Sequence, residues 1–172
     1  MSNEEKLVEE LVRNALFRMD ESTRMIEKSL THISEEQLWQ KPNASLNSIG
    51  NLLLHICGNM TQYIISSLGE TTDKRNRHAE FSQHQTGNKE QLIEKVLETV
   101  DTAKRVIFDA NVKQLLQQRA VQGFTFSGVG VIIHAVEHYS YHTGQIAFWV
   151  KQLKDVDLGF YDGIDLRVKN DE

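Results

Sequence analysis

Apolar residues recur at intervals of three or four along most of the chain, and this period predicts long amphipathic helices. The first helix carries an apolar stripe of Leu7, Leu11, Ala15, Met19, Ser22, Ile26, Leu30 and Ile33. Directly after this stripe, Ser34 and Gln37 have the spacing of a capping box and begin a short turn. Pro42 ends that turn, because proline has no backbone N–H to donate to a helix.

Three more helices are predicted downstream of Pro42. The second begins at a cap, Asn47 or Ser48, and stops at Gly69. The third covers about 88–110 and the fourth about 127–153. Four long helices without a clear set of strands predict an all-α protein, an antiparallel four-helix bundle.

The segments between and after these helices are predicted to be irregular. Residues 70–87 are polar and have no pattern, so we expect a long loop between helices two and three, of the kind that often borders a functional site. Residues 111–126 are ambiguous, although "VQGFTFSG" is typical of a short extended piece. We expect a single domain over 1–172, with the bundle over about 4–153 and an irregular tail over 154–172.

Composition and charge exclude several classes of partner. A chain of 172 residues is long enough to bury roughly 70% of its unfolded surface, so it needs no disulfide or metal merely to fold. The net charge of -5, with no basic run, predicts no nucleic-acid partner. No apolar run reaches the roughly 20 residues of a membrane span, and the first residues lack the order of a signal peptide. We therefore expect a cytoplasmic protein with no membrane partner.

Three histidines in the fourth predicted helix, His134, His138 and His142, follow one another at intervals of four. Side chains four residues apart lie on one face of a helix, about 5–6 Å apart at Cβ. Two such imidazoles can bind one metal ion at about 2.0–2.1 Å each. Three cannot, because the outer two lie about 12 Å apart along the helix axis. One ion therefore takes either His134 with His138 or His138 with His142.

The second predicted helix has a matching polar stripe around His55. At offsets of -4, +4 and +7 it carries Asn51, Asn59 and Gln62, and the same offsets from His138 carry His134, His142 and Gln145. Buried polar side chains without partners cost about 1–3 kcal/mol each, so we expect the two stripes to face each other. Gly58 and Gly144 lie beside the stripes and permit close approach. Facing stripes predict a three-histidine metal site made of His55 and one adjacent histidine pair from the fourth helix.

Two other interpretations of these histidines remain open. In the first, the stripes form a polar core with satisfied hydrogen bonds and no metal. In the second, "HAVEH" over 134–138 is the H-x-x-E-H signature of a zinc protease, in which Glu137 activates water. Such proteases need an acidic third ligand on a larger scaffold, and only 34 residues follow His138. Glu172 is the only later glutamate, and conceivable aspartate ligands are Asp155, Asp157, Asp162 and Asp165.

Three short motifs stand at 138–146 (HYSYHTGQI), 48–59 (SIGNLLLHICGN) and 73–81 (DKRNRHAEF). The first resembles the H-x-x-x-H-x-G-Q-I signature of the DinB-like superfamily, which are metal-binding four-helix bundles. The second is similar to the segment whose histidine supplies that superfamily's remaining ligand, and the third resembles the charged loop that follows. Their order and spacing match from the first helix to about Leu153.

This resemblance implies a metal site and a class of activity. By position it makes the metal ligands His55, His138 and His142. It implies a zinc or nickel ion and, because characterised relatives include bacillithiol S-transferases and a mycothiol-dependent maleylpyruvate isomerase, a small-molecule substrate with a low-molecular-weight thiol. It also implies a homodimer, since family members are often dimeric. His134 is left as a neighbour of the ligands.

The chemistry that such a site supports has two forms. Three neutral histidines leave a divalent ion an open position, which is typical of a catalytic site. Water bound there would supply hydroxide for hydrolysis, whereas a thiol would become a thiolate and attack an electrophile. The alternative is a metal-binding or ligand-binding bundle without catalysis.

Other side chains have weaker assignments from the sequence alone. Candidates to orient a substrate or water are Asn59, Tyr141 and Gln145, and candidate general bases are Glu137 and Glu80. Arg75 and Arg77 either attract an anionic thiol or are solvated charges, and we favour the second. We expect packing roles for Cys57, Tyr139, Phe148 and Trp149, and surface positions for His32, His78 and His84.

Overall fold

The computed structural model of the chain describes residues 2–82 and 88–169. In chain order its elements are α1 (Asn3–Leu30), α2 (Glu35–Trp39), α3 (Ile49–Met60), a π-helical continuation of α3 (Thr61–Leu68), α4 (Arg77–Ser82), α5 (Lys89–Asp109), α6 (Val112–Leu116), β1 (Arg119–Val121), β2 (Phe124–Phe126) and α7 (Gly128–Lys154). The prediction of an all-α fold with four long helices is confirmed, and the strands form one small antiparallel hairpin.

Helix starts follow the local capping signals in the sequence. Ser34 and Gln37 form the predicted capping box of α2. Ser48, rather than Asn47, caps α3, because its side chain accepts a hydrogen bond from the backbone N–H of Asn51. Ser127 caps α7 in the same way. These caps place the starts of α3 and α7, and with them the position of every histidine along the two helices.

The apolar stripe of α1 packs over most, but not all, of its predicted length. Its members from Ala15 to Ile33 are buried, whereas Leu7 is 72% exposed and Leu11 is half-buried. Full burial of α1 begins at Val12, and before it Val8 packs against the core while remaining partly exposed. The period is therefore correct and the extent of the buried face is shorter than predicted.

Directions within the bundle are mixed, and the predicted antiparallel arrangement holds for α3 with α7 and for α1 with α5, but not for α3 with α5. Helix α3 is antiparallel to α7, because His55 contacts His138 while Asn59 contacts His134. Helix α1 is antiparallel to α5, since Lys89 bonds to Ile33. A contact between Asp20 and Lys104 agrees with this direction for α1 and α5. Contacts of Cys57 with Thr99 and of Gly69 with Val106 show that α3 and α5 run in the same direction. It follows that α1 and α7 also run in the same direction.

The connection between α3 and α5 must therefore return along the bundle before α5 begins. Residues 69–82 do so beside α3, where Arg75 bonds to Gln62 and Glu80 bonds to Asn51. The prediction of an unpatterned loop over 70–87 is wrong in part, because Arg77–Ser82 form α4; its end, 83–87, lies outside the described residues. This return path brings a charged segment to the middle of α3.

The two remaining irregular segments have some local order. Residues 111–126 contain α6 and the β1–β2 hairpin, whose turn places Gln122 and Gly123 at positive φ of 51° and 82°. The tail is irregular over 155–169, and Leu158 is buried against the bundle. In the described part of the chain, no helix combines the length and the apolar character that crossing a membrane requires.

Candidate metal centre

Three histidine side chains from two helices converge at the centre of the α3–α7 interface. The Nε2 atoms of His55 and His138 lie 3.0 Å apart, and those of His138 and His142 lie 3.2 Å apart. One donor atom from each ring lies within 4.8 Å of the others. Within 2–82 and 88–169, this is the one set of three or more His, Cys, Asp or Glu side chains that could hold an ion. The cluster is compatible with a metal-binding site.

Two of the three nitrogen separations fit a single first-row divalent ion, and the third is bounded by the 4.8 Å within which all three donor atoms lie. With metal–nitrogen distances of about 2.05 Å, separations of 3.0 and 3.2 Å correspond to angles of about 94° and 103° at the ion. These values lie between the octahedral and tetrahedral angles. Three neutral nitrogen donors are a set that zinc and nickel both accept. The residues present therefore fit the ion that the sequence motifs imply.

His55 is held on its other side by a buried ion pair from the returning connection. Its Nδ1 lies 2.8 Å from Oε2 of Glu80. Arg75 donates to both oxygens of that carboxylate, from Nε at 2.7 Å and from Nη2 at 3.0 Å. The side chains of Arg75 and Glu80 are only 2% and 9% exposed. An ionised carboxylate only accepts hydrogen bonds, so Nδ1 of His55 carries the proton and Nε2 carries the lone pair.

His142 is oriented in a similar way by a neighbour on its own helix. Its Nδ1 donates to Oε1 of Gln145 at 2.6 Å, which leaves its Nε2 as an acceptor. The acceptors of His55 and His142 both face Nε2 of His138, which has one proton at most to share between them. A cation between the three rings satisfies all of them at once.

Burial favours the neutral form of His138 and His142, and hydrogen bonds favour the charged form of Glu80. Burial, followed by the neighbouring His142 and His55, lowers the pKa of His138 to about 3. Burial also lowers the pKa of His134 and of His142. For Glu80, burial alone would raise the pKa, but the hydrogen bonds from His55 and Arg75 outweigh it, and the net pKa is lowered. The lowered pKa values leave His138 and His142 neutral at neutral pH, as metal binding requires.

His134 stands outside the convergent set. Its ring stacks on Tyr63 at a centroid distance of 4.1 Å, and its Nε2 lies 3.3 Å from Nδ2 of Asn59. Asn59 is 3% exposed, and its Oδ1 has no hydrogen-bond partner in the described structure. Tyr63 in turn donates to Gln122 in the hairpin turn. The structure therefore makes His134 and Asn59 one polar pair beside the cluster.

The cluster opens to the surface along α7. A depression of about 540 Å³ is lined by His134, Glu137, His138, Ser140 and Tyr141. Tyr141 is 62% exposed, and its ring lies edge-on to that of His142 at 5.0 Å. On the other side of Tyr141, a second, largely apolar depression of about 600 Å³ extends from His142 towards Leu46 and Trp149. A small molecule can reach the open side of the cluster from both.

Several other sequence assignments are settled by the contacts of the side chains. Arg75 is buried, so its assignment as a solvated charge is wrong; Arg77 is exposed, with its guanidinium 5.1 Å from the Phe81 ring centre. Both oxygens of Glu80 are engaged by Arg75 and His55, which argues against a role as general base. Phe148 is 69% exposed rather than packed.

The remaining candidates are mostly where the sequence places them. Cys57 and Tyr139 are buried, and Trp149 packs partly against the core. His78 is exposed and His32 is half-buried, while His84 lies outside the described residues. The aspartates considered for a protease site, Asp155, Asp157, Asp162 and Asp165, do not join the histidines. The H-x-x-E-H interpretation is thus left without a third ligand in the described structure.

Comparison with known families agrees with the helical motifs. Residues 6–161 match the family described as "Protein of unknown function (DUF1572)". The chain belongs to this family. The family is DinB-like, which confirms the superfamily that the three sequence motifs indicate. No curated protein matches the chain.

Two solved structures share the fold. A conserved protein from Enterococcus faecalis is 14% identical, with a TM-score of 0.69 over 81% of this chain and 94% of that one. A DinB-like protein from Bacillus subtilis, YjoA, is 18% identical, with a TM-score of 0.61 over 84% of this chain and 91% of that one. At these identities the likeness shows the fold alone, so function has to be argued from the site.

Proposed function

We propose that this protein is a metal-dependent enzyme in which His55, His138 and His142 hold one zinc or nickel ion through their Nε2 atoms. The observation that supports the proposal most directly is the approach of these atoms to 3.0 and 3.2 Å. Two of the rings donate their Nδ1 protons to Glu80 and Gln145, so their lone pairs are aimed at one point. A cluster built only for packing would not need that arrangement.

The protein's own residues supply orientation and access. A bound divalent ion supplies a positive charge that lowers the pKa of a thiol or of water. Glu80 and Gln145 hold two of the rings in one tautomer. In this proposal a substrate enters through the depression beside Tyr141, and Glu137, which lines that depression, takes up the released proton.

We favour transfer of a small-molecule thiol, in line with the thiol transferases that the sequence resembles. In that reaction the S–H bond breaks and its proton leaves. The sulfur electron pair forms a bond to an electrophilic carbon, and the bond from that carbon to its leaving group breaks with its electron pair. The apolar depression between His142 and Trp149 suits the carbon-rich electrophile. Hydrolysis, with water in place of the thiol, is the second candidate because the same open position serves it.

The first test is the metal content of untagged protein, measured by elemental mass spectrometry for the wild type, His55→Ala and His138→Ala. We expect about one zinc or nickel per chain in the wild type and a loss of metal in both variants. His32→Ala is the matched control, because His32 lies outside the cluster. No metal in the wild type, before or after reconstitution, would overturn the proposal.

Turnover separates an enzyme from a binding module. Metal-loaded and metal-free protein are incubated with panels of low-molecular-weight thiols and of epoxide or activated-ring electrophiles, and thioether formation is followed by mass spectrometry. Metal-dependent product that disappears in His138→Ala supports the transferase. Hydrolysed electrophile without thioether indicates the hydrolase instead, and bound metal without product from either panel favours a binding module.

A further inference from the structure

We propose that Glu80, held by Arg75, is a positioning residue that fixes His55 with its proton on Nδ1 and its Nε2 lone pair towards the metal. This inference rests on the proposed function, which it deepens by assigning a role to the charged connection between α3 and α5. Metal-binding histidines in proteins commonly donate their second N–H to a carboxylate, which makes them better ligands.

The hydrogen-bond pattern favours one proton arrangement at His55, with the proton on Nδ1. Without a proton on Nδ1, this nitrogen would face Oε2 of Glu80 at 2.8 Å, acceptor against acceptor. Arg75 Nη2, which has two N–H groups, also lies 3.1 Å from Nδ1, but the contact of Nδ1 with the acceptor-only carboxylate oxygen is shorter, at 2.8 Å. The proton therefore sits between His55 and Glu80, and the opposite nitrogen is free.

Arg75 fixes the carboxylate rather than the histidine. Besides its two bonds to Glu80, it donates from Nη1 to Oε1 of Gln62 at 2.9 Å, and its backbone N–H donates to Asp73 at 2.9 Å. Gln62 also donates to Asp73 at 2.6 Å. This closed set of bonds ties the connection to the outer end of α3, so the carboxylate reaches His55 at a set position.

Gly58 provides the space that the carboxylate occupies. A Cβ atom added at Gly58 would lie 2.0 Å from Oε1 of Glu80, 2.7 Å from its Cδ and 3.0 Å from Nε of Arg75. Gly144, on α7 beside the cluster, offers a contrast, because a Cβ there meets nothing within 4 Å. Alanine at position 58 would displace the ion pair without removing a charged group, and alanine at position 144 would not.

The experiment compares the wild type, Glu80→Ala, Glu80→Gln, Gly58→Ala and the control Gly144→Ala as full-length untagged protein. Zinc affinity is measured by competition with a chromophoric chelator. The tautomer of His55 is read in the metal-free protein from long-range nitrogen–proton NMR spectra, and circular dichroism checks the fold. Glu80→Gln keeps an acceptor for Nδ1, so it separates the hydrogen bond from the charge.

We expect Glu80→Ala and Gly58→Ala to weaken zinc binding by about 10–100-fold and to lose the Nδ1–H tautomer. Glu80→Gln should keep the tautomer and lose less affinity, and Gly144→Ala should match the wild type. Wild-type affinity and an unchanged tautomer in both Glu80→Ala and Gly58→Ala would overturn the positioning role. If the wild type takes up no zinc, the proposed function fails, and the tautomer comparison then decides the role of Glu80 by itself.

Discussion

The buried Arg75–Glu80 pair predicts a strong stability coupling between its two partners. In Arg75→Leu, the carboxylate stays buried at 9% exposure with His55 as its remaining partner, and in Glu80→Leu the guanidinium stays buried at 2%. Breaking a buried pair in this way costs about 3–5 kcal/mol. In the double variant no charge is left uncompensated, and only the neutral donor of His55 and acceptor of Gln62 lose partners, at about 1–3 kcal/mol each.

The assay is a double-mutant cycle of urea unfolding at neutral pH, with a chelator present so that metal binding does not contribute. The loss of unfolding free energy in the double variant should be smaller than the sum of the two single losses by about 2 kcal/mol or more. Glu21→Leu, which removes a partly exposed pair with Arg18, is the control and should change the unfolding free energy by less than about 1 kcal/mol. Additive single effects would refute the view that the two buried charges depend on each other.

Three further predictions concern packing around the site. Gly50→Ala should lower the unfolding free energy by about 1–3 kcal/mol, because the added Cβ would lie 2.6 Å from the Trp39 ring; thermal unfolding checks this, and an unchanged midpoint contradicts it. Cys57 should resist iodoacetamide at pH 8 until urea unfolds the chain, since it is buried and burial raises the pKa of its thiol to about 11; rapid labelling of native protein would contradict this. Tyr139→Phe should cost about 1 kcal/mol in chemical denaturation by removing the 3.0 Å bond to Thr23, and no loss would mean that this bond contributes nothing net.

The histidine cluster was within reach of sequence analysis because it depends on local geometry. Residues four apart on a helix share a face whatever the rest of the fold does, so the two polar stripes could be found and paired. The choice between His134 and His142 could not follow from spacing, since both lie four residues from His138. It depends on the axial position of α3 against α7, which sets Asn59 opposite His134 and His55 opposite His138.

The burial of Glu80 and Arg75 could not be predicted from the sequence. Their motif resembles a charged loop, and a charged loop is usually solvated. Their burial depends on the direction of α5, because the connection passes His55 only when α3 and α5 run the same way. Chain direction is a property of the whole bundle, and no local pattern in residues 70–87 encodes it. The same dependence hid α4, a short helix that is held by contacts with α3.

The shared space at Gly58 and Glu80 constrains the order in which this family can change. A side chain at position 58 would occupy the place of the Glu80 carboxylate and force it to move. A lineage that shortens or replaces the acid first can then gain a side chain at position 58 without a clash. A lineage that gains the side chain first passes through a protein with a displaced carboxylate. Across related sequences the two positions should change together, with glycine at the first wherever glutamate stands at the second.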